Sequence, residues 1–279
     1  MQIGLFGINN GPSSDPGTMI TIAQACEAAG FDSVWTGEHV VLPDPQMPPS
    51  PVAPEHPMLD PAVALTWVAA CTTSLKLGTG IIILPQRNPL VLAKEMASVD
   101  HLSNGRLILG VGVGYLEPEF RALGISMQDR GLRTEEYIAA MRAIWSGESY
   151  AGSFASFDGV KANPRPKQAG GPPIVMAGHT AAAYRRAVTT SQGWYGFGLD
   201  AASTRVCLDG LDAAASRYER PSELGPLHIS VTPRARLDDA SFAAFEAMGV
   251  DRVIPLMGPG DGVGGVVSMV EDLGKRYVH

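Results

Sequence analysis

The chain has 279 residues, 45% of them hydrophobic and 18% charged, a balance that lets a soluble chain bury a large core and excludes disordered and fibrous classes. Its formal net charge of −7 argues against a general affinity for nucleic acid or anionic membranes, both of which favour basic surfaces. No apolar run approaches the roughly 20 residues of a membrane span, and Met1-Gln2-Ile3-Gly4-Leu5-Phe6-Gly7 lacks a basic leader and a cleavage site, so a cytoplasmic location is expected.

In chain order, short β-rich runs alternate with helical runs, the signature of a parallel α/β architecture. The strands are predicted at residues 2–8, 33–36, 75–83, 107–113, 173–177, 193–197, 228–232 and 252–256. Several of the intervening runs carry a one-sided apolar stripe. Met19, Ile22, Ala23 and Cys26 form one such stripe; Ile138, Met141 and Trp145 form another; Val266, Met269, Val270 and Leu273 form the last. Cys26, Cys71 and Cys207 are odd in number and far apart, which reads as buried reduced thiols rather than as a disulfide framework or a zinc site.

Such a series can close into a barrel or lie as an open doubly wound sheet. No linker divides the chain, and Asn9-Asn10-Gly11-Pro12-Ser13 stands where a dinucleotide fingerprint would follow the first strand. The expected fold is therefore a single (β/α)8 TIM barrel domain over residues 1–279, with chemistry at the C-terminal ends of its strands.

Insertion loops are expected after strands two and four and before strand five. Residues 40–60 hold seven prolines, which stiffen a loop and suit a preorganised lid or wall, although a plain solvent-exposed loop has the same composition. Residues 115–131 read as a short amphipathic excursion with Glu117, Glu119 and Arg121 beside Phe120 and Leu123. Within 148–172, Tyr150, Gly152, Phe154 and Phe157 with the turn signal Asp158-Gly159 predict a hairpin.

Chemistry-bearing groups collect at the predicted strand ends. Strand two runs into Gly37-Glu38-His39, where His39 can exchange a proton near neutrality and Glu38 can orient it or touch a cofactor; a polar pair capping the strand is the plainer alternative. The third strand contains Gly78 and Gly80, and the fourth alternates Gly110, Gly112 and Gly114 before Tyr115. Such glycines mark a bulge, the close approach of a flat ligand, or tight packing. Gly178-His179-Thr180 leads into a helical run whose exposed N–H groups suit a phosphate, or simply a helix cap. His56, His101, His228 and His279 are scattered, with neither a His-Glu-x-x-His pattern nor a Gly-x-Ser-x-Gly elbow, so metal-dependent and serine hydrolysis recede.

Several motifs occur in order between Leu77 and Tyr115: Gly78-Thr79-Gly80, then Arg87-Asn88-Pro89, Ala93-Lys94-Glu95, Asp100-His101-Leu102-Ser103-Asn104-Gly105-Arg106 and the glycine strand. With Gly37-Glu38-His39, Ile144-Trp145-Ser146-Gly147, Pro164-Arg165-Pro166 and Gly193-Trp194, they strongly resemble the luciferase-like monooxygenase superfamily, within it the branch of probable deazaflavin-dependent oxidoreductases. The resemblance implies a barrel that holds coenzyme F420, or alternatively FMN, in its mouth, and a small-molecule substrate. It places Gly80-Ile81 at the family's non-prolyl cis peptide behind the tricyclic ring and Glu38 at an acidic position near the cofactor. It gives His39 a part in proton transfer, makes Gly114-Tyr115 a further wall and puts Gly178, His179 and Thr180 at the phosphate. Tyr115 stands where the related glucose-6-phosphate dehydrogenases carry a glutamate, so their substrate and acid do not transfer, and the phenol becomes a second proton donor beside His39.

The expected activity is F420-dependent hydride transfer to or from a small organic substrate, in a homodimer. An FMN-dependent monooxygenase using reduced flavin and oxygen is the alternative within redox chemistry. A phosphate-substrate isomerase or lyase is the alternative of another class, disfavoured because Lys76 begins its strand rather than ending it.

Overall fold

A computed structural model describes residues 1–258 and 260–278; Pro259 and His279 lie outside the described residues. The strands and helices run β1 (Gln2–Phe6), α1 (Pro16–Ala28), β2 (Ser33–Thr36), α2 (Pro61–Cys71), β3 (Lys76–Thr79), β4 (Ile82–Ile83) and α3 (Pro89–Leu102). Then come β5 (Leu107–Gly112), α4 (Glu117–Ala122), α5 (Arg130–Ser146), β6 (Tyr150–Ala151), β7 (Ser156–Phe157), β8 (Ile174–Ala177) and α6 (Ala181–Thr190). The chain ends with β9 (Gly193–Leu199), α7 (Ala201–Arg217), β10 (His228–Pro233), α8 (Asp239–Ala247), β11 (Arg252–Val253) and α9 (Val263–Tyr277).

The parallel ladder β3-β2-β1-β11-β10-β9-β8-β5 is closed by pairing of β3 with β5, giving the eight-stranded (β/α)8 barrel. Helix starts repeat one device: Asp15-Pro16, Asp60-Pro61 and Asn88-Pro89 put a capping side chain before a proline whose missing N–H costs the first turn nothing. Capping boxes at Asp200 and Asp238 begin α7 and α8.

Alternation along the strands builds two cores. Phe6, Trp35, Ile108, Val175, Tyr195 and Ile254 fill the barrel, while Leu5, Val34, Leu77, Leu109, Met176 and Val231 belong to the larger layer under the helices. The predicted stripes enter that outer layer, with Met269 only partly buried. Cys26 and Cys207 are buried and Cys71 half-buried, all as free thiols.

The glycines of β3 and β5 are explained by neighbours within the chain. A Cβ on Gly78 would lie 2.3 Å from the Trp35 indole, one on Gly110 would lie 1.9 Å from the Thr79 carbonyl oxygen, and one on Gly112 would lie 2.6 Å from Ile81. The bare face of β5 therefore receives Thr79 and Ile81 from the next strand. The predicted third strand is split at Gly80–Ile81, whose peptide bond is cis, and β4 resumes the pairing with β5.

The predicted hairpin forms as β6 and β7, but its turn is at residues 152–155 and Asp158-Gly159 lies beyond it. The physical reason is on α5, where the Glu136 carboxylate accepts from the N–H groups of Ser153, Phe154 and Ala155 and fixes that turn. Among the described residues no helix is long and apolar enough to cross a membrane.

Candidate active site at the mouth of the barrel

The turn after β2 is clamped from β1: the Gly37 N–H donates to Asn9 Oδ1 at 2.9 Å, and Asn9 Nδ2 donates to the Gly37 carbonyl at 2.9 Å. Asn9 Nδ2 also reaches the Leu59 carbonyl at 2.6 Å, tying down the far end of the proline-rich loop. Beyond the clamp the two predicted site residues part company. Glu38 turns into the protein, accepts from the Ile83 N–H at 2.5 Å and pairs with Arg87, which also bridges to Asp60 at 2.9 Å. Burial pulls the Arg87 pKa down, but the charges of Glu38 and Asp60 outweigh it and hold the guanidinium firmly protonated.

His39 faces the other way. Its Nδ1 lies 3.0 Å from Glu119 Oε2, and the Val40 N–H donates to Glu119 Oε1 at 2.6 Å. The carboxylate is fully enclosed, with 0% of its side chain exposed. Glu119 arrives there because Gly114, at φ +75°, reverses the chain after β5 so closely that a Cβ would strike Phe120 at 2.6 Å. Phe120 is buried beneath α4 and Glu119 beside it, so the predicted amphipathic excursion is a short helix with one acid turned inward.

Tyr115 and His39 are brought together. The phenol oxygen is 3.4 Å from His39 Nε2, and the rings meet edge to face with centroids 5.9 Å apart. Burial, and after it the Glu119 charge, push the phenol pKa up, so Tyr115 carries its proton.

Across the mouth, Gly178 at φ +128° turns the chain out of β8, and its carbonyl accepts from Trp194 Nε1 at 2.9 Å. His179 Nε2 accepts the Phe197 N–H at 3.2 Å, so that nitrogen bears no proton, and burial lowers the His179 pKa in the same sense. Thr180 caps α6 by accepting from the Ala183 N–H. The N–H groups of Ala181 and Ala182, at the positive end of the helix, are not taken by that cap. Between the two sides stands Phe197, 45% exposed, its ring 5.1 Å from that of Phe6. Gly80 sits against the same Phe6, where a Cβ would approach the ring at 3.1 Å.

The sequence is matched over residues 2–255 by the family model of luciferase-like monooxygenases. The chain belongs to that family. It is thus an enzyme of the luciferase-like oxidoreductase and monooxygenase superfamily. An uncharacterized protein of Mycobacterium tuberculosis is 32% identical over 193 residues, covering 65% of this chain and 68% of that one. The FMNH2-dependent dimethylsulfone monooxygenase of Pseudomonas fluorescens is 29% identical over 210 residues, covering 73% of this chain and 54% of that enzyme. Among solved structures, an F420-dependent secondary alcohol dehydrogenase in complex with an F420-acetone adduct superposes with a TM-score of 0.78 at 15% identity, over 98% of this chain and 97% of that one. That likeness is one of fold.

Among the predicted residues, His39 and Tyr115 meet, Gly178, His179 and Thr180 form one turn, and Gly80-Ile81 lies at the barrel's aromatic floor. Glu38 does not orient His39. Glu119 does, and the sequence offered only its place four residues beyond Tyr115, which becomes meaningful once the α4 fold-back is known. Phe197 reads in sequence as one more strand residue, and only its exposure sets it apart.

Proposed function

We propose that the protein is an oxidoreductase that binds coenzyme F420 across the mouth of the barrel and transfers hydride between it and a small organic substrate. The observation that carries this reading is the pairing of His39 Nε2 with the Tyr115 hydroxyl at the same end of the barrel at which Phe197 is left exposed. The donor set suits a tricyclic phosphate-bearing cofactor: Gly178–Thr180 and the first turn of α6 offer backbone N–H groups to an anion, while Phe197, backed by the buried Phe6, offers an apolar surface to a ring. Gly80, Ile81, Gly114 and Glu38 would form the wall behind it, Glu38 through its hold on Ile83 and Arg87.

When bound, the deazaflavin supplies the hydride donor or acceptor. The chain's own groups supply the proton, from or to His39 Nε2, with the protonated Tyr115 hydroxyl as the second donor. The proline-rich loop is pinned at its far end by Asn9 and by Asp60–Arg87, which holds it as a fixed rather than a mobile border of the strand-two end.

Titration of the purified protein with F420, followed by absorbance or fluorescence, tests the assignment: saturable binding is expected, and none at tens of micromolar overturns it. The relative from Pseudomonas favours a second reading, an FMN-dependent monooxygenase; oxygen consumption on mixing with reduced FMN and substrate would establish it in place of the first. The isomerase or lyase alternative has lost its lysine, since Lys76 lies at the opposite end of the barrel, paired with Asp32.

We also propose a homodimer. An apolar cavity of about 850 Å³ between α1, α2 and α3 is edged by the half-exposed Trp67, and Lys94 and Glu95 lie together on it, so a two-fold copy of the same face meets both apolar surface and opposite charge. Light scattering of Trp67→Glu is expected to give a monomer where the unaltered protein gives a dimer.

A further inference from the structure

We propose that Glu119 is a positioning residue that fixes the tautomer of His39, with the proton on Nδ1 and the free electron pair on Nε2 facing the mouth of the barrel. This rests on the reading of His39 as the proton-transfer group.

The geometry is over-determined. One carboxylate oxygen receives the Val40 N–H at 2.6 Å, and a backbone N–H can only donate. The other oxygen faces His39 Nδ1 at 3.0 Å. An ionised carboxylate only accepts, so Nδ1 must be the donor, which leaves Nε2 as an acceptor toward the Tyr115 hydroxyl at 3.4 Å. Since 0% of the Glu119 side chain and 7% of that of His39 are exposed, water cannot substitute for either partner.

Two consequences follow. The imidazole is oriented as a base in the free enzyme, and once it has taken a proton at Nε2 the adjacent carboxylate stabilises the cation, so the same pair can return the proton. In addition, Val40 opens the proline-rich loop, so one carboxylate ties the root of that loop to the ring that does the chemistry.

The Glu119→Gln substitution separates positioning from mere structure. The Val40 N–H still demands an acceptor, so the Gln carbonyl must face it and the Gln amide must face His39 Nδ1. The amide then donates where the carboxylate accepted, and the imidazole is forced to carry its proton on Nε2. Proton-nitrogen correlation spectra of protein labelled in histidine, recorded on the alkaline side of neutrality, read this directly, with the His39 signals identified by their loss in His39→Asn. The expected result is a protonated Nδ1 in the unaltered protein and a protonated Nε2 in Glu119→Gln. An unaltered protein with its proton on Nε2 overturns the proposal, as does a folded Glu119→Gln with an unchanged tautomer.

The first of these spectra needs no variant, so a misfolded Glu119→Gln leaves the proposal open to refutation. Neither spectrum needs a cofactor, so failure to bind F420 sinks the functional reading without touching this one. Where turnover is measurable, Glu119→Gln is expected to lower kcat by about 100-fold with little change in KM.

Discussion

The two ends of the barrel treat their polar groups in opposite ways. At the N-terminal end every prominent charge is consumed by the protein itself: Arg252 is held by Asp32 at 2.7 Å and by Gln2 at 2.8 Å, and Lys76 takes the other Asp32 oxygen at 2.9 Å. Arg106 spends its guanidinium on the carbonyls of Ala69, Thr72, Leu75 and Ser103. At the C-terminal end the partners leave binding capacity: after Glu119 has taken Nδ1, Nε2 of His39 meets only the hydroxyl of the half-exposed Tyr115, and the first N–H groups of α6 remain after Thr180 has taken that of Ala183. Closed networks hold a fold, whereas networks stopped one bond short leave binding capacity for something else.

The largest test of this contrast is Arg252→Leu. It strands a mostly buried Asp32 carboxylate with only Lys76 beside it, and a loss of about 3–5 kcal/mol is expected in a chemical denaturation curve. Affinity for the cofactor should not move in the protein that remains folded. A change in affinity comparable to the loss of stability would erase the distinction between the two ends.

Next comes His39→Asn, which keeps an N–H donor for Glu119 but removes the proton-accepting Nε2. Turnover should fall by about 100-fold, or about 2.7 kcal/mol of transition-state stabilisation, with the melting temperature little changed. Tyr115→Phe belongs to the same arm with a smaller effect, on the order of tenfold or less in turnover.

The smallest effect lies back at the N-terminal end. Burial, then the Arg252 charge, lower the His228 pKa from the ordinary 6.5 to about 4. Above 6.5 the imidazole is neutral in both states and its contribution is complete; as pH falls from 6.5 toward 4, the unfolded chain takes up a proton that the folded one refuses, and stability is lost. His228→Gln should therefore flatten the curve of melting temperature against pH in that window, relative to the unaltered protein. An unchanged slope would mean that the group is solvated like any surface histidine.

Much of this was legible in the chain itself. The eight strand positions follow from alternation and β-branched runs, the helix starts from Asp-Pro and Asn-Pro pairs, and the barrel from the absence of a linker and of a dinucleotide turn. The glycines of β3 and β5 were visible as anomalies but not as a set: a Gly at 110 has meaning only against the Thr79 carbonyl on a neighbouring strand, a contact that no local pattern encodes.

The site divides along the same line. Sequence determined that an imidazole, a phenol and a glycine turn before a helix would stand at strand ends, because strand direction fixes which end a residue occupies. Only the tertiary structure decided their partners. Glu38 and His39 are adjacent in the chain, and consecutive residues leaving a strand point to opposite sides, so one was claimed by Arg87 and the other by an acid eighty residues away. Which of two neighbouring groups is locked in the fold and which meets the half-exposed Tyr115 at the site is set by those long-range contacts, and it is on that choice that the proposed chemistry rests.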